Sequence, residues 1–156
     1  MTDPRARPTA PSPQVFAVFN EIGIIEQLAR TKLERLLPDG LRISHFTVLN
    51  HFIRRPGQET PVQLARAFQV TKGAMTNTLG RLEGRGLIEI VPDPSDGRSK
   101  LVSISAAGRQ AHADCLLALA PELVKIEAAF GRSAFAEALP FLAELRKWLD
   151  AERDEA

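Results

Sequence analysis

The stretch Asp93-Pro-Ser-Asp-Gly-Arg-Ser-Lys100 decides the fold of this 156-residue chain. It lies between two short apolar runs, Leu87–Val91 and Leu101–Ile104, which contain several β-branched residues. Because Pro, Asp, Ser and Gly favour turns, the unit is predicted to be a β-hairpin. Its tip would carry the guanidinium of Arg98 beside the carboxylate of Asp96.

Two short helices joined by a tight turn are expected just before the hairpin. Thr60-Pro-Val-Gln63 is a capping box with Pro at the first helical position, so one helix begins there. Thr71 is suited to cap the next helix, and Gly86 is suited to end it. This arrangement is a helix-turn-helix, in which the second helix enters the major groove of a duplex. The hairpin would then reach the neighbouring backbone.

Helical patterns flank this central unit on both sides. Residues 14–37 carry apolar residues at helical spacing on more than one face, which requires two packing partners. A second helix is expected from a cap at Ser44 to about residue 55. After the hairpin, Ser105 can cap a helix over residues 106–130.

A final helical region is predicted over residues 134–151. Two prolines interrupt these C-terminal patterns. Pro121 is expected to kink its helix, and Pro140 must either bend the last helix or mark the start of its main portion.

The sequence therefore predicts a mainly α fold with a small β-hairpin wing. Residues 41–104 would form a winged helix-turn-helix DNA-binding domain, and residues 14–40 and 105–156 a helical dimerisation region. The first 13 residues contain four prolines and no aliphatic pattern, so residues 1–13 are predicted to be a disordered tail.

Composition limits the class of protein. Hydrophobic residues make up 44% and charged residues 25%, as in ordinary folded domains. No apolar run is long enough for a bilayer and the Pro-rich start is unlike a signal peptide, so we expect a cytoplasmic protein without a membrane partner. The net charge of +1 does not by itself support nucleic-acid binding, which must be argued from where the charges lie.

A long, ordered series of motifs runs from Leu41 to Gly108. It comprises Val48-Leu49, Gln63-Leu64-Ala65, Thr71, Leu82-Glu83, Gly86-Leu87-Ile88, Asp93-Pro94, Asp96, Arg98, Lys100 and Ile104-Ser105. This series resembles the winged helix-turn-helix domain of the MarR family of bacterial transcription regulators, and the flanking helices match that family's order. The resemblance implies a homodimeric, sequence-specific transcription regulator, more often a repressor, that releases double-stranded DNA when a small-molecule effector binds.

The helix after Thr71 is predicted to have two faces. Met75, Leu79 and Leu82 would hold it on the domain, with polar side chains on the opposite side. Asn can bind adenine and Arg can bind guanine through two hydrogen bonds each, and a helix N-terminus can meet a phosphate. The predicted DNA contacts are Thr71, Lys72, Thr76, Asn77, Arg81, Arg85, Asp96, Arg98 and Lys100.

Arg98 on the wing suits the narrow minor groove, and Asp96 is expected to hold its guanidinium by a charge-assisted bond. Lys100 and Arg85 are interpreted as phosphate contacts, which position the protein without specifying a sequence. Asn77, Ile90-Val91 and Gly97 stand where Arg is common in the family. Fewer charges imply weaker non-specific binding or a different DNA preference.

An effector crevice between the dimer helices and the DNA-binding lobe, as in similar proteins, would involve Phe19, Phe46, Leu49 and His112. Cys115 is interpreted as a small buried hydrophobe rather than a redox sensor, because no basic cluster surrounds it. The spacing of the three histidines does not indicate a metal site.

We also expect no cofactor and no enzymatic activity, since phosphate-loop and nucleophile motifs are absent from the sequence. Two alternatives remain open. One is a winged-helix architectural or protein-interaction module without sequence-specific DNA binding, and the other is a small helical enzyme.

Overall fold

The computed structural model describes residues 10–155. Within them lie six α-helices, a short 3-10 turn at Pro38–Gly40 and a two-stranded antiparallel hairpin. In chain order the elements are α1 (Pro13–Glu34), α2 (Ile43–Arg54), α3 (Pro61–Ala67), α4 (Lys72–Gly84), β1 (Ile88–Asp93), β2 (Asp96–Ile104), α5 (Ala106–Phe130) and α6 (Arg132–Glu155). The predicted mainly α fold with a β-hairpin wing is confirmed. The predicted tail lies largely outside the described residues, and α1 begins at its last position, Pro13.

The hydrophobic core lies where α2, α3, α4, the hairpin and the first half of α5 meet. Its largest fully buried side chains are Phe52, Leu49, Leu64, Leu79, Leu82, Val48, Val102 and Cys115. The buried residues of α5 end at Leu119, so the second half of this helix leaves the core. The helix-turn-helix and its hairpin therefore share one packed interior with α2 and the first half of α5.

Local sequence sets the helix-turn-helix. The hydroxyl of Thr60 accepts a hydrogen bond from the N–H of Gln63 (3.2 Å), and the Gln63 side chain accepts the N–H of Thr60 (2.7 Å). The hydroxyl of Thr71 accepts the N–H of Ala74 (3.1 Å) at the start of α4. At the other end Gly86 has a φ of 68°, which closes α4 and turns the chain into the wing. Both predicted caps are confirmed.

The start of α2 differs from the prediction. This helix begins at Ile43 with Arg42 as its N-cap, so Ser44 lies inside the first turn and does not cap it. The carboxylate of Glu34, at the end of α1, accepts the N–H of Ile43 (3.1 Å). The ring Nδ1 of His45 accepts the N–H of Arg42 (3.1 Å). The side chains of Glu34 and His45 thus accept N–H groups at the start of the helix, which is the role that was predicted for Ser44.

The wing is anchored to the domain at its base. In the hairpin Ile88 pairs with Ile104 and Pro92 with Lys100, and Glu59 adds a short antiparallel bridge to Val102. The two backbone hydrogen bonds of that bridge measure 3.1 and 2.8 Å. The loop before α3 therefore fixes the wing relative to the helix-turn-helix.

Glycine lets α5 pack directly under the wing. A Cβ atom at Gly108 would lie 1.9 Å from the carbonyl oxygen of Leu87, far inside contact distance. Ser105 caps α5 through the N–H of Gly108 (3.0 Å) and donates its hydroxyl to the carbonyl of Gly86 (2.6 Å). The base of the wing is thereby joined closely to the first turn of α5.

The long helices outside the core are poorly covered. α1 has no buried residue, and its large apolar side chains lie open to solvent: Phe16 is 74% exposed and Leu28 is 67% exposed. Lys32 of α1 forms an ion pair with Glu122 of α5. Both C-terminal helices continue through their prolines, and α6 starts at Arg132, so Pro140 does not mark its beginning.

Candidate nucleic-acid interface

The second helix of the helix-turn-helix, α4, has the two faces that the sequence predicts. Met75, Leu79 and Leu82 are 3%, 2% and 0% exposed and hold the helix against the core. Thr76, Asn77 and Arg81 are exposed. Thr71 and Lys72 are also exposed at the N-terminal end, where free N–H groups favour an anion. The helix can therefore be held rigidly while its polar face meets a duplex.

The tip of the wing is built by short side-chain hydrogen bonds. Asp93 accepts the N–H and the hydroxyl of Ser95 at 2.8 and 2.7 Å, and these bonds lower the pKa of its carboxyl group. Residues 97–99 have no register partner on β1, so Arg98 projects from an irregular segment of β2 and is exposed. Lys100 is exposed opposite Pro92.

The role of Asp96 differs in detail from the prediction. Its carboxylate accepts the backbone N–H of Arg98 (3.1 Å), and among the described ion pairs none joins the two side chains. A carboxylate can satisfy either donor, and here the backbone donor lies in a tight turn. Asp96 therefore shapes the backbone under Arg98 and leaves the guanidinium available.

Arg85, which was predicted to contact phosphate, makes a structural bond within the protein. Its guanidinium donates to the carbonyl oxygen of Asp39 at 2.9 Å and so ties the end of α4 to the turn after α1. Asp39 has a φ of 56°, and the bond helps to hold this unusual backbone in place. The side chain of Arg85 is still exposed.

A polar pocket between α2 and α4 was not predicted from the sequence. It has a volume of about 110 Å³ and is lined by Arg42, Ser44, His45, Asn77, Thr78 and Arg81. His45 is only 5% exposed. Burial, followed by the charges of Arg85, Arg81 and Arg42, lowers the pKa of its imidazole, and Glu34 acts in the opposite direction. The proximity of His45 to α4 could not be read from the sequence, because it depends on how α2 packs against α4.

The four residues predicted for an effector crevice are only partly brought together. The rings of Phe46 and His112 stack with centroids 5.3 Å apart, and Nε2 of His112 lies 3.1 Å from Oδ1 of Asn50. Leu49 is fully buried, whereas Phe19 on α1 is 42% exposed. Burial lowers the pKa of His112. None of the four lines either of the two described pockets.

The second pocket, of about 180 Å³, lies between the ends of α2 and α3 and α6. It is lined by His51, Arg54, Arg55, Ala67, Phe68, Arg146 and Asp150. Of these residues, Arg146 pairs with Asp150 at 3.0 Å. His51 also reaches outside the lining, where its Nε2 lies 2.6 Å from Oε1 of Glu59. His51 thus links α2 to the segment that bridges the wing.

The single cysteine, Cys115, lies in the hydrophobic core. It is fully buried, and burial raises the pKa of its thiol, as expected of a small core residue. Within residues 10–155 there is no helix of the length and apolar character needed to cross a membrane.

A helix-turn-helix with an exposed polar face beside a charged hairpin defines a winged helix-turn-helix DNA-binding protein. A sequence model of the MarR family matches residues 39–99. The multiple antibiotic resistance protein MarR of Salmonella typhimurium is 37% identical over 99 residues, which are 58% of this chain and 68% of that protein. The chain belongs to the MarR family of winged-helix transcriptional regulators.

Solved structures show the same architecture. Wild-type MarR from E. coli in its apo form superposes with a TM-score of 0.71 at 25% identity, covering 89% of this chain and 98% of that one. A cysteine-to-serine mutant of E. coli MarR complexed with operator DNA gives a TM-score of 0.68 at 24% identity, covering 88% and 99%. The likeness therefore extends beyond the region matched by the family model, to the flanking helices.

Proposed function

We propose that this protein is a homodimer that binds a near-palindromic operator, represses transcription and releases the DNA when a small molecule binds. The observation that carries the proposal is the uncovered apolar surface of α1, which has no buried residue but exposes Phe16, Ile25 and Leu28. A soluble monomer rarely leaves such a surface open. α5 and α6 add Phe130, Leu139 and Trp148, exposed by 72%, 66% and 59%.

A second copy of the chain is the natural partner for these helices, because closed twofold pairing buries the same surface on both subunits. In the proposed dimer, the two α4 helices and the two wings lie on one side. Two copies of one reading unit match a near-palindromic duplex with half-sites about 10 base pairs apart.

Within each half-site we propose a division of labour. Asn77 reads a base edge in the major groove, since its amide can bind adenine through two hydrogen bonds. Arg98 enters the minor groove from the irregular segment of β2. Thr71, Lys72 and Lys100 approach the backbone and position the protein.

The assembly is tested by sedimentation velocity at micromolar concentration. The wild type should sediment as a dimer. Ile25→Glu places a charge on a residue of α1 that is 60% exposed, and it should shift the protein toward monomer. Val62→Glu makes the same change on α3 at a residue that is 54% exposed and outside the proposed interface, so it should remain dimeric. A wild-type monomer would overturn the proposal.

The regulatory direction needs a separate experiment. Fragments of the native genome bound by the protein are selected and sequenced, and the recovered operator is placed before a promoter for transcription in vitro. Repression predicts that adding the protein lowers the amount of transcript from this template but not from one with a scrambled operator. An increase in transcript would identify an activator instead.

The effector is proposed to bind near the stacked rings of Phe46 and His112, at the junction of α2 with α5. Support comes from position, because α5 connects the DNA-binding core to the uncovered dimer helices. A ligand wedged there could change the angle between the two units. His112→Ala should then weaken release by an inducing compound while leaving the protein dimeric.

A further inference from the structure

The polar pocket between the N-terminus of α2 and α4 holds more space than a water molecule needs. Its volume of about 110 Å³ compares with about 30 Å³ for a water in the liquid. No carboxylate is among the six described residues that line it. We propose that this pocket is the seat of one DNA backbone phosphate per half-site, held by Arg42, His45 and Arg81. The inference rests on the proposed DNA binding and adds a contact that the helix-turn-helix motif does not supply.

His45 provides the strongest reason. Its Nδ1 accepts the N–H of Arg42, so in the neutral ring the proton lies on Nε2, which becomes a donor. Nε2 has no hydrogen-bond partner among the described residues, and His45 is only 5% exposed. A buried donor without an acceptor is unfavourable. A phosphate oxygen in the pocket would supply the acceptor.

The charges around the pocket favour an anion. Arg42 lines it from the start of α2 and Arg81 from α4, and the charge of Arg85 is close enough to lower the pKa of the imidazole. The nearby carboxylate of Glu34 is engaged with the N–H of Ile43, and the next N–H, that of Ser44, has no partner among the described residues. A phosphate would relieve the repulsion between the guanidinium groups.

The position of the pocket fits a backbone contact rather than a base contact. Asn77 and Arg81 lie one turn apart on α4, and both border the pocket. A phosphate bound there would fix the depth and rotation of α4 in the groove, since phosphate contacts position and base contacts specify. Arg81 would then position the helix for Asn77 instead of reading guanine.

Two substitutions at His45 separate this role from capping. Gln and Glu can both accept the N–H of Arg42, as Gln63 accepts that of Thr60 in α3. His45→Gln also keeps a neutral donor, whereas His45→Glu places a carboxylate in the pocket. If His45 only caps α2, both variants should bind DNA like the wild type. A phosphate seat predicts that His45→Gln binds nearly normally and that His45→Glu binds at least tenfold more weakly, with thermal melting confirming that both are folded.

The phosphate itself is identified by chemical substitution in the selected operator duplex. A neutral methylphosphonate is placed at each backbone position in turn, and binding is measured by fluorescence anisotropy. One position per half-site should weaken wild-type binding by roughly tenfold. The Arg42→Ala variant should bind the methylphosphonate duplex no more weakly than it binds the unmodified duplex. The loss of affinity caused by His45→Glu should be smaller on the methylphosphonate duplex than on the unmodified one. Lys147→Ala, which removes a charge on α6 that pairs with Glu144, serves as the control and should show the wild-type pattern.

The same duplexes distinguish a backbone phosphate from a free anion. Arg42→Ala should lower the slope of log affinity against log salt by about 2, because a dimer loses two phosphate contacts. Inorganic phosphate at constant ionic strength should not compete with the duplex. Competition by inorganic phosphate without any methylphosphonate coupling would overturn the inference and indicate an anion site. If the wild type binds the operator and no backbone position couples to Arg42 or His45, the seat is wrong while the proposed function stands.

Discussion

At the residue scale, the exposed face of α4 carries Asn77, the contact on which sequence preference is proposed to depend. Asn77→Ala removes the amide but leaves the buried face of Met75, Leu79 and Leu82 intact, so the fold should be unchanged. The substitution should cost about 1–3 kcal/mol in binding and relax the preference at one position of each half-site. A panel of single-base operator variants at fixed salt measures this. Gln110→Ala, which removes an exposed amide on α5, is the matched control.

An equal loss of affinity by Asn77→Ala for every operator variant would contradict a base contact. It would place Asn77 at the backbone and leave the preference to other groups.

Gly108 makes a prediction about stability. Gly108→Ala would place a methyl group 1.9 Å from the carbonyl of Leu87, and neither backbone can move without separating α5 from the wing. We expect a loss of about 1–3 kcal/mol in the free energy of unfolding, measured by urea denaturation. Gly80→Ala in the middle of α4 meets open space and should stabilise the protein by up to about 1 kcal/mol. Equal stability of the two variants would contradict the close packing.

The two most deeply buried histidines predict how stability depends on pH. Burial lowers the pKa of His45 and of His112 from the ordinary value of 6.5, so the unfolded chain takes up protons first as the pH falls. Stability from these groups is present above about pH 6.5 and declines as the pH falls toward the folded-state pKa values. Urea denaturation between about pH 8 and pH 5 should show this decline, and His112→Gln should reduce it. An identical pH profile in the variant would contradict the assignment.

At the scale of elements, substitutions in the wing and in α4 should weaken DNA binding in different ways. Arg98→Ala removes the guanidinium that is proposed to enter the minor groove, where width matters more than base identity. Binding to many sequences should therefore weaken together. Asp96→Ala should have a milder effect, because it frees the backbone N–H of Arg98 without removing the charge.

Fluorescence anisotropy at low salt, on the same operator panel, measures both changes in the wing. If Arg98→Ala binds like the wild type, the wing does not touch DNA. The alternative of an architectural or interaction module would then gain support.

Local chemistry explains which elements could be predicted from the sequence. Thr60, Thr71 and Gly86 act on residues within a few positions of themselves, and all three behave as their types suggest. The prediction that Ser44 caps α2 was wrong, because the carboxylate of Glu34 on α1 accepts the N–H of Ile43 at the start of the helix. The choice of Asp96 between a backbone and a side-chain donor is likewise set by the turn geometry.

The polar pocket could not be predicted for a similar reason. It joins residues 42–45 to residues 77–81, and only the packing of α2 against α4 brings them together. Motif spacing predicts which helix would read DNA, but it does not show which other elements lie beside that helix.

At the scale of the whole molecule, the DNA-binding unit has a complete core while α1, the end of α5 and α6 do not. A twofold assembly would bury the apolar side chains that these helices leave exposed. It would place two identical reading units at a fixed separation and would make each substitution count twice per operator.

The measurement that tests the central claim most directly is a footprint of the protein on the selected genomic operator, combined with the stoichiometry of the complex by sedimentation. A twofold dimer predicts two copies of the chain on one duplex. The protected region should be near-palindromic, with half-sites centred about 10 base pairs apart. One copy bound to a single asymmetric half-site would contradict the account.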